Sequence, residues 1–501
     1  MKENDKNRSS HYNPRRWNPR KWLKTEIKNF VSQEDFRMKY IVDPKRHFLR
    51  QRKLKIWEII YIFFLLPGHM PSEVISDFYR DRSIEDEDYV APCRQAYMKA
   101  LKKLKFGQLI EDLTHKMKAD LEAIAGEPED VDAIFRDVFH EYTIYSVDGT
   151  DINLPYDRDD EEYFIKENKL GYRGHNSVHM NCIIRNEDGT MMSIKSQGAH
   201  KKNEKDAARI QIIEEGIDWG ENPLFIFDRG YYSTQLVRTL IRNNYSFLMR
   251  IQDVSSSKAL SKTLIKHIPD NELHDEGAWR IRHYFAPSMT KKMKEMGASL
   301  CLAYPYEDDV DVKHIANERG GSCAYIECDL TLIRLRLDDP EDKTTEPEYE
   351  CLLTNLAPGM FTLEEWKCLY HLRWKIETSI RSWKYYAGAD RVSFRNRDLN
   401  LTGLKASEIL YNMTKIATRK TRPTDLPKRQ KSKEGIHRKH LYRISEAAAA
   451  RKLYAFLRDD RGAPSYLYKE IGRMTECLRP NRHCSRNLKP KGFNGFTYRV
   501  A

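Results

Sequence analysis

The stretch YHLRWKIETSIRSWK, residues 370–384, sets four polar side chains among bulky apolar ones. Read as one α-helix turning about 100° per residue from Tyr370 at zero, it puts Arg373 at about 300°, Glu377 at about 340° and Lys384 at about 320°. Leu369, Leu372, Ile376, Ile380 and Trp383 fall in the next sector, between about 200° and 280°. The polar stripe therefore borders a buried face. Glu377 is held at the edge of a core, where a working carboxylate is kept rigid.

Upstream, the pattern changes from helical to strand-like at residue 141. YTIYSVDGT is a β-branched and aromatic run ending in Asp148-Gly149-Thr150. NSVHMNCIIRNEDGTMMSIKSQG reads as two strands joined by the hairpin signal Asp188-Gly189. NEKDAARIQIIEEGIDW reads as a helix, NPLFIFDRGYYS as a central strand ending in Asp228, and STQLVRTLIRNN as another helix. This order predicts a mixed α/β domain over 141–250, followed over 251–356 by a β-rich insertion of short strands. Helical pattern returns over 357–420. Before the domain come a basic arm (1–44), with eight Lys/Arg against two acids in its first 24 residues, and a helical region (45–140). In the latter, PSEVISDFYRD and APCRQAYMKALKKLKF suit either a DNA-binding helix-turn-helix or plain helical packing. After it comes a basic linker and C-terminal helical region (421–501).

Composition bounds the partners. Lys+Arg 86 against Asp+Glu 74 gives +12, which favours a polyanion. The nine cysteines are odd in number and irregularly spaced, without a CxxC pair, as expected of reduced thiols in a cytoplasmic protein. The start lacks an apolar signal region, and IWEIIYIFFLL (56–66) is too short to span a bilayer and carries Glu58, so it is expected to be a buried helix and the protein to have no membrane partner.

Three carboxylates stand out by position: Asp148 and Asp228 at strand ends, Glu377 on the later helix. Each has a plain structural reading, as a turn residue, a helix N-cap and an ion-pair partner of Arg373 or Arg381. Their order on elements of the right type favours a common site, since sites in open α/β sheets collect at the carboxyl ends of strands. Hard oxygen ligands select two Mg²⁺, or Mn²⁺, over zinc, as in phosphodiester chemistry.

The motif Y-(2)-R-(3)-E-(6)-K of 370–384 resembles the helix of DDE transposases of the insertion-sequence-four group. SVDGT is similar to that family's first-Asp strand, FDRGYYS to its second-Asp motif, and NEKDAA (203–208) also resembles family sequence. The resemblance covers roughly 140–420. It implies an RNase H-like mixed sheet with the β-rich domain inserted between Asp228 and Glu377. Asp148, Asp228 and Glu377 would be catalytic and bind the two metals, and Tyr370, Arg373 and Lys384 would contact DNA phosphates. It further implies a homodimer acting on double-stranded transposon ends and target DNA in a prokaryotic cytoplasm, and offers Trp279 as a base-stacking candidate beside its reading as a core Trp. A nuclease with the same triad and a non-catalytic DNA-binding derivative remain as alternatives. A tyrosine recombinase does not fit, because His371-Leu372-Arg373 lacks the HxxR spacing.

Overall fold

The computed structural model describes residues 17–50, 53–126, 133–167, 174–252, 276–301, 312–316, 320–337, 349–391, 394–421 and 442–477. The chain forms two compact units. One comprises Met1–Pro128, Ile152–Val178 and Arg381–Ala501, the other Glu129–Asp151 and His179–Ile380.

The first unit is mainly helical. Helices Pro19–Val31, Ile56–Phe64, Phe106–Ala125, Arg397–Arg419 and Glu446–Arg458 share one apolar core. The segment expected to be a basic arm is thus helical from Pro19, and it buries Leu23, Ile27 and Phe30. The physical reason is an i, i+4, i+7 apolar stripe that its many charges mask in a composition reading. Ile56–Phe64 is buried as expected, Glu58 included. The Glu58 carboxylate is satisfied at 2.8 Å by both the Tyr79 hydroxyl and the Arg82 guanidinium. Cys477, His483 and Cys484, an incomplete zinc set in the sequence, extend beyond the described residues. The eight cysteines within them are free thiols, and no helix there is long and apolar enough to cross a membrane.

The described residues also build an 11-stranded mixed sheet. Its strands are β1 (Thr143–Leu154), β2 (Phe164–Ile165), β3 (His175–Arg185), β4 (Met191–Gly198), β5 (Pro223–Phe227), β6 (Ser246–Ile251), β7 (Gly277–Ala286), β8 (Ser299–Leu300), β9 (Lys313–Ala316), β10 (Ser322–Arg336) and β11 (Tyr349–Thr354). The order is β2-β3-β1-β5-β6-β11-β10-β7-β8, with β4 paired to β3 and β9 to β10. Strands β1, β5 and β6 are parallel, while β11 joins β6 antiparallel and β10 joins β11 antiparallel. The strands of the region read as an insertion therefore prolong the same sheet. Trp279 on β7 is half-buried against the core, its indole folded over Gly277.

In the second unit, alternation along the strands gives each sheet face its own apolar layer. Tyr145, Val147, Phe225 and Phe227 pack with the helices Glu204–Ile213 and Thr234–Arg242. Ile144, Leu224, Ile226 and Leu248 pack on the other face with Phe135, Phe139 and the Trp366, Leu369 and Tyr370 side chains of helix Leu363–His371.

Candidate active site

The parallel register of β1 and β5 sets Val147 beside Phe227. The next residue in each case is an aspartate, so Asp148 and Asp228 lie side by side, Asp228 just past the end of β5 and Asp148 within β1, which runs on to Leu154 where the sequence suggested an end. By parity they share the face of Ile144 and Ile226, the face covered by helix Leu363–His371. Neither plain reading of these aspartates holds. Asp148-Gly149 lies inside the continuous strand β1. The helix Thr234–Arg242 is capped by Ser233, whose hydroxyl accepts from Leu236 N, leaving Asp228 uncommitted to that task.

The single helix expected across 370–384 is two helices, Leu363–His371 and Trp374–Tyr386. Between them Leu372 and Arg373 form a tight turn of i→i−3 bonds, with Arg373 N to Tyr370 O at 3.0 Å and Ile376 N to Arg373 O at 3.1 Å. The Leu372 carbonyl, already bonded by Lys375 N at 3.0 Å, also accepts from Asn186 Nδ2 at 3.4 Å, from the tip of the β3–β4 hairpin, and Lys375 Nζ donates to Asn186 O at 3.5 Å. No glycine or proline marks the break, and this long-range contact accompanies it. One wheel therefore does not describe Tyr370, Arg373, Glu377 and Lys384 together.

Arg373, only 7% exposed, sits at the joint. Its guanidinium lies 3.1 Å from Glu377 Oε1 and 3.6 Å from Asp148 Oδ2, so the ion-pair reading of Glu377 is realised within the site itself. Burial opposes the Arg373 charge, but Tyr370, Glu377, Asp228 and Asp148 more than restore it. Its Nε is buried and has no hydrogen-bond partner. The Tyr370 hydroxyl is likewise buried and unpartnered, and burial pushes its ionisation above the ordinary range. Lys384 lies on helix Trp374–Tyr386 two turns beyond Glu377, in the other unit, with Asp390 as a charged neighbour.

Asp148 carries the clearest electrostatic sign of convergence. Burial pushes its carboxyl up to about 6; the Gly149 N–H and Arg373 pull it down, while Glu377 and Asp228 raise it. Like charges crowd at this point. Among the described residues, no three His, Cys, Asp or Glu side chains are close enough to hold a metal ion as they stand. Two of the carboxylates are instead bridged by Arg373. The donors, all hard carboxylate oxygens, nonetheless fit a divalent cation chemically.

Behind the strand lies a cluster that sequence reading missed. His179 on β3 places Nδ1 2.7 Å from Asp151 Oδ1 and Nε2 3.2 Å from Glu204 Oε1, the latter off the line of a good hydrogen bond. Lys202 Nζ reaches the same Glu204 oxygen at 3.2 Å. Burial disfavours the imidazolium, but Asp151 and Glu204 raise its affinity for the proton. A Cβ on Gly149 would fall 2.6 Å from the His179 ring and 2.7 Å from Glu204. Thus Asp148 faces one side of β1, while Gly149 and Asp151 are backed by His179 on the other. The available signal was a polar stripe of period two, Ser177, His179 and Asn181, inside an apolar strand.

The profile of the transposase DDE domain family matches residues 139–413, more than half the chain. The chain belongs to the DDE transposase domain family. Membership assigns it to DNA transposases, which cut and join DNA strands and generally use divalent metal ions. A solved structure, the cryo-EM piggyBac transposase synaptic complex with hairpin DNA, is similar over 93% of this chain and 83% of that one, at 10% identity and a TM-score of 0.38. No curated protein matches the chain in sequence. Within this DDE transposase, Asp148, Asp228, Tyr370, Arg373 and Glu377 all fall in the second unit.

Proposed function

We propose that this chain is the transposase of an insertion sequence of the insertion-sequence-four group, built on an RNase H-like sheet. The observation that carries the reading is the pairing of Val147 with Phe227. It sets Asp148 and Asp228 abreast, facing the helices that bring Arg373 and Glu377.

Asp148, Asp228 and Glu377 would hold two Mg²⁺ or Mn²⁺ ions. Such ions supply activation of the attacking oxygen and stabilisation of the leaving oxygen in phosphodiester chemistry. The residues of the chain do the rest. Arg373 neutralises the carboxylates while the site is empty of DNA and offers a planar fork that matches a phosphate. The Tyr370 hydroxyl, buried without a partner, supplies a donor for a phosphate oxygen. Lys384 adds a cation further along the same helix. The reading includes a homodimer that binds double-stranded element ends and target DNA in a prokaryotic cytoplasm, and helical DNA-binding elements within 45–140.

Glu377→Gln keeps the side-chain volume and removes the charge. It is expected to abolish Mg²⁺-dependent cleavage of the element ends while retaining end binding. Cleavage by that variant at the wild-type rate would remove Glu377 from the triad. Strand transfer assayed with a pre-cleaved end distinguishes a transposase from a nuclease.

A further inference from the structure

A cavity of about 1000 Å³ opens in the helical unit, away from the DDE carboxylates in sequence and in the unit that contains it. One wall is helix Arg94–Leu101 and the turn after it. Ala96, Lys99, Ala100 and Lys103 follow one another at helical spacing and all line the cavity. The opposite wall is the loop 43–50. Five cations line the space: Arg46, Arg50, Lys53, Lys99 and Lys103. Among the described residues no Asp or Glu lines it; Asp43, beside it, pairs with Arg46 at 3.6 Å. Between the cations lies an apolar floor that includes Phe48, Leu54 and Ala100.

The walls are built rather than draped. The Arg37 guanidinium donates to the carbonyls of Pro44, His47 and Phe48, fixing the loop from beneath. Val42 N bonds Lys103 O at 3.0 Å and Lys105 N bonds Tyr40 O at 2.8 Å, which ties the loop to the helix turn. Lys53 Nζ donates to Val90 O at 3.0 Å and closes a third side. Phe48 itself is held at φ 56°, a left-handed conformation that bulky side chains avoid. Strain of this kind persists only where its surroundings impose it, and it concentrates at binding sites.

We propose that this groove binds a short unpaired stretch of DNA, with backbone phosphates on the cationic rim and bases on the apolar floor. The cations call for a polyanion. The floor selects among polyanions, because a closed duplex shows phosphates and base edges but no base faces, whereas unpaired bases bury theirs. The volume stands at the upper end of the range for compact ligand sites and accommodates roughly two or three nucleotides. The choice of DNA rests on the function proposed above.

The test uses the full-length protein in EDTA, with fluorescence anisotropy of a labelled oligothymidylate of about 20 nucleotides and of a duplex of equal length. The Lys99→Glu/Lys103→Glu variant is expected to bind the single strand at least about tenfold more weakly, with a salt slope reduced by about 1.4 for two lost phosphate contacts. Phe48→Ala is expected to lose about tenfold for the single strand and nothing for the duplex. Lys99→Gln/Lys103→Gln serves if the charge reversal fails to fold, as judged by circular dichroism. Unchanged single-strand affinity overturns the inference, and so does an equal loss for duplex and single strand in Phe48→Ala. Because no cleavage is measured, a wild type that binds but does not cut leaves the groove standing and counts only against the proposed function.

Discussion

Arg373 Nη2 lies 3.1 Å from Glu377 Oε1, one turn along, while the same guanidinium reaches Asp148 Oδ2 at 3.6 Å. A buried cation thus spans two of the carboxylates from the joint between two helices. Removing it leaves like charges facing each other. Arg373→Ala is expected to lower stability by about 2 kcal/mol, below the cost of breaking a fully buried pair because both carboxylates are partly exposed. Thermal melting should show that loss shrinking when Mn²⁺ is added, since a divalent cation can replace the missing charge. Arg373→Lys should recover the stability only in part, lacking the fork.

Asp148 binds its proton more tightly in the folded chain than in the unfolded one, its carboxyl being pushed up to about 6 chiefly by burial. The sign follows directly. Its contribution is present at low pH and is lost as pH rises from the ordinary carboxylate range through about 6, by at most about 3 kcal/mol. Urea unfolding of the metal-free protein should show this slope, and Asp148→Asn should flatten it. Metal binding needs the ionised form, so the Mn²⁺ half-saturation measured by calorimetry should rise as pH falls below about 6.

Glu187 offers a second pH effect, remote from any proposed ligand role. Its Oε1 accepts from Ile144 N at 2.8 Å at the start of β1, its Oε2 is buried without a partner, and burial pushes the carboxyl up to about 7. With a folded value above the unfolded one, its stabilising contribution is lost as pH rises through about 7. Glu187→Gln retains the acceptor without the charge. It is expected to raise stability at pH 8 by on the order of 2 kcal/mol and to be near neutral at pH 4. Melting curves at the two pH values check this.

Gly149 is required by close approach, since a Cβ there meets the His179 ring at 2.6 Å. Gly149→Ala should cost about 2 kcal/mol through overpacking. Combined with His179→Ala the penalty should fall, giving a coupling of at least about 1 kcal/mol in a double-mutant cycle by chemical denaturation. Additive losses would separate Gly149 from the His179 cluster.

Much of this site was legible in the chain because its signals are local. An apolar strand running into an aspartate can be read from SVDGT and LFIFD, although β1 continues past Asp148 to Leu154, and the parallel register that sets the two abreast comes only from the fold. The Tyr370–Lys384 motif was equally visible, but its helix was not continuous. At the break Leu372 meets Asn186, almost two hundred residues upstream, and no glycine or proline in the local sequence announces it. The grouping of His179, Asp151 and Glu204 was missed for a similar reason, since only the fold brings three separate segments behind Gly149. The helix Pro19–Val31 hid its buried stripe under its charges. That the strands of 277–354 prolong the same sheet was not readable, because β10 pairs with β11 and β7 only in the fold.

The central claim is that Asp148, Asp228 and Glu377 form one divalent-cation centre from which Arg373 must withdraw. Crystals soaked in Mn²⁺ and measured at the manganese absorption edge test it directly. The account predicts anomalous density bounded by these three carboxylates, with the Arg373 guanidinium moved off Asp148 and Glu377. Manganese bound elsewhere, with Arg373 still bridging the two carboxylates, would contradict it.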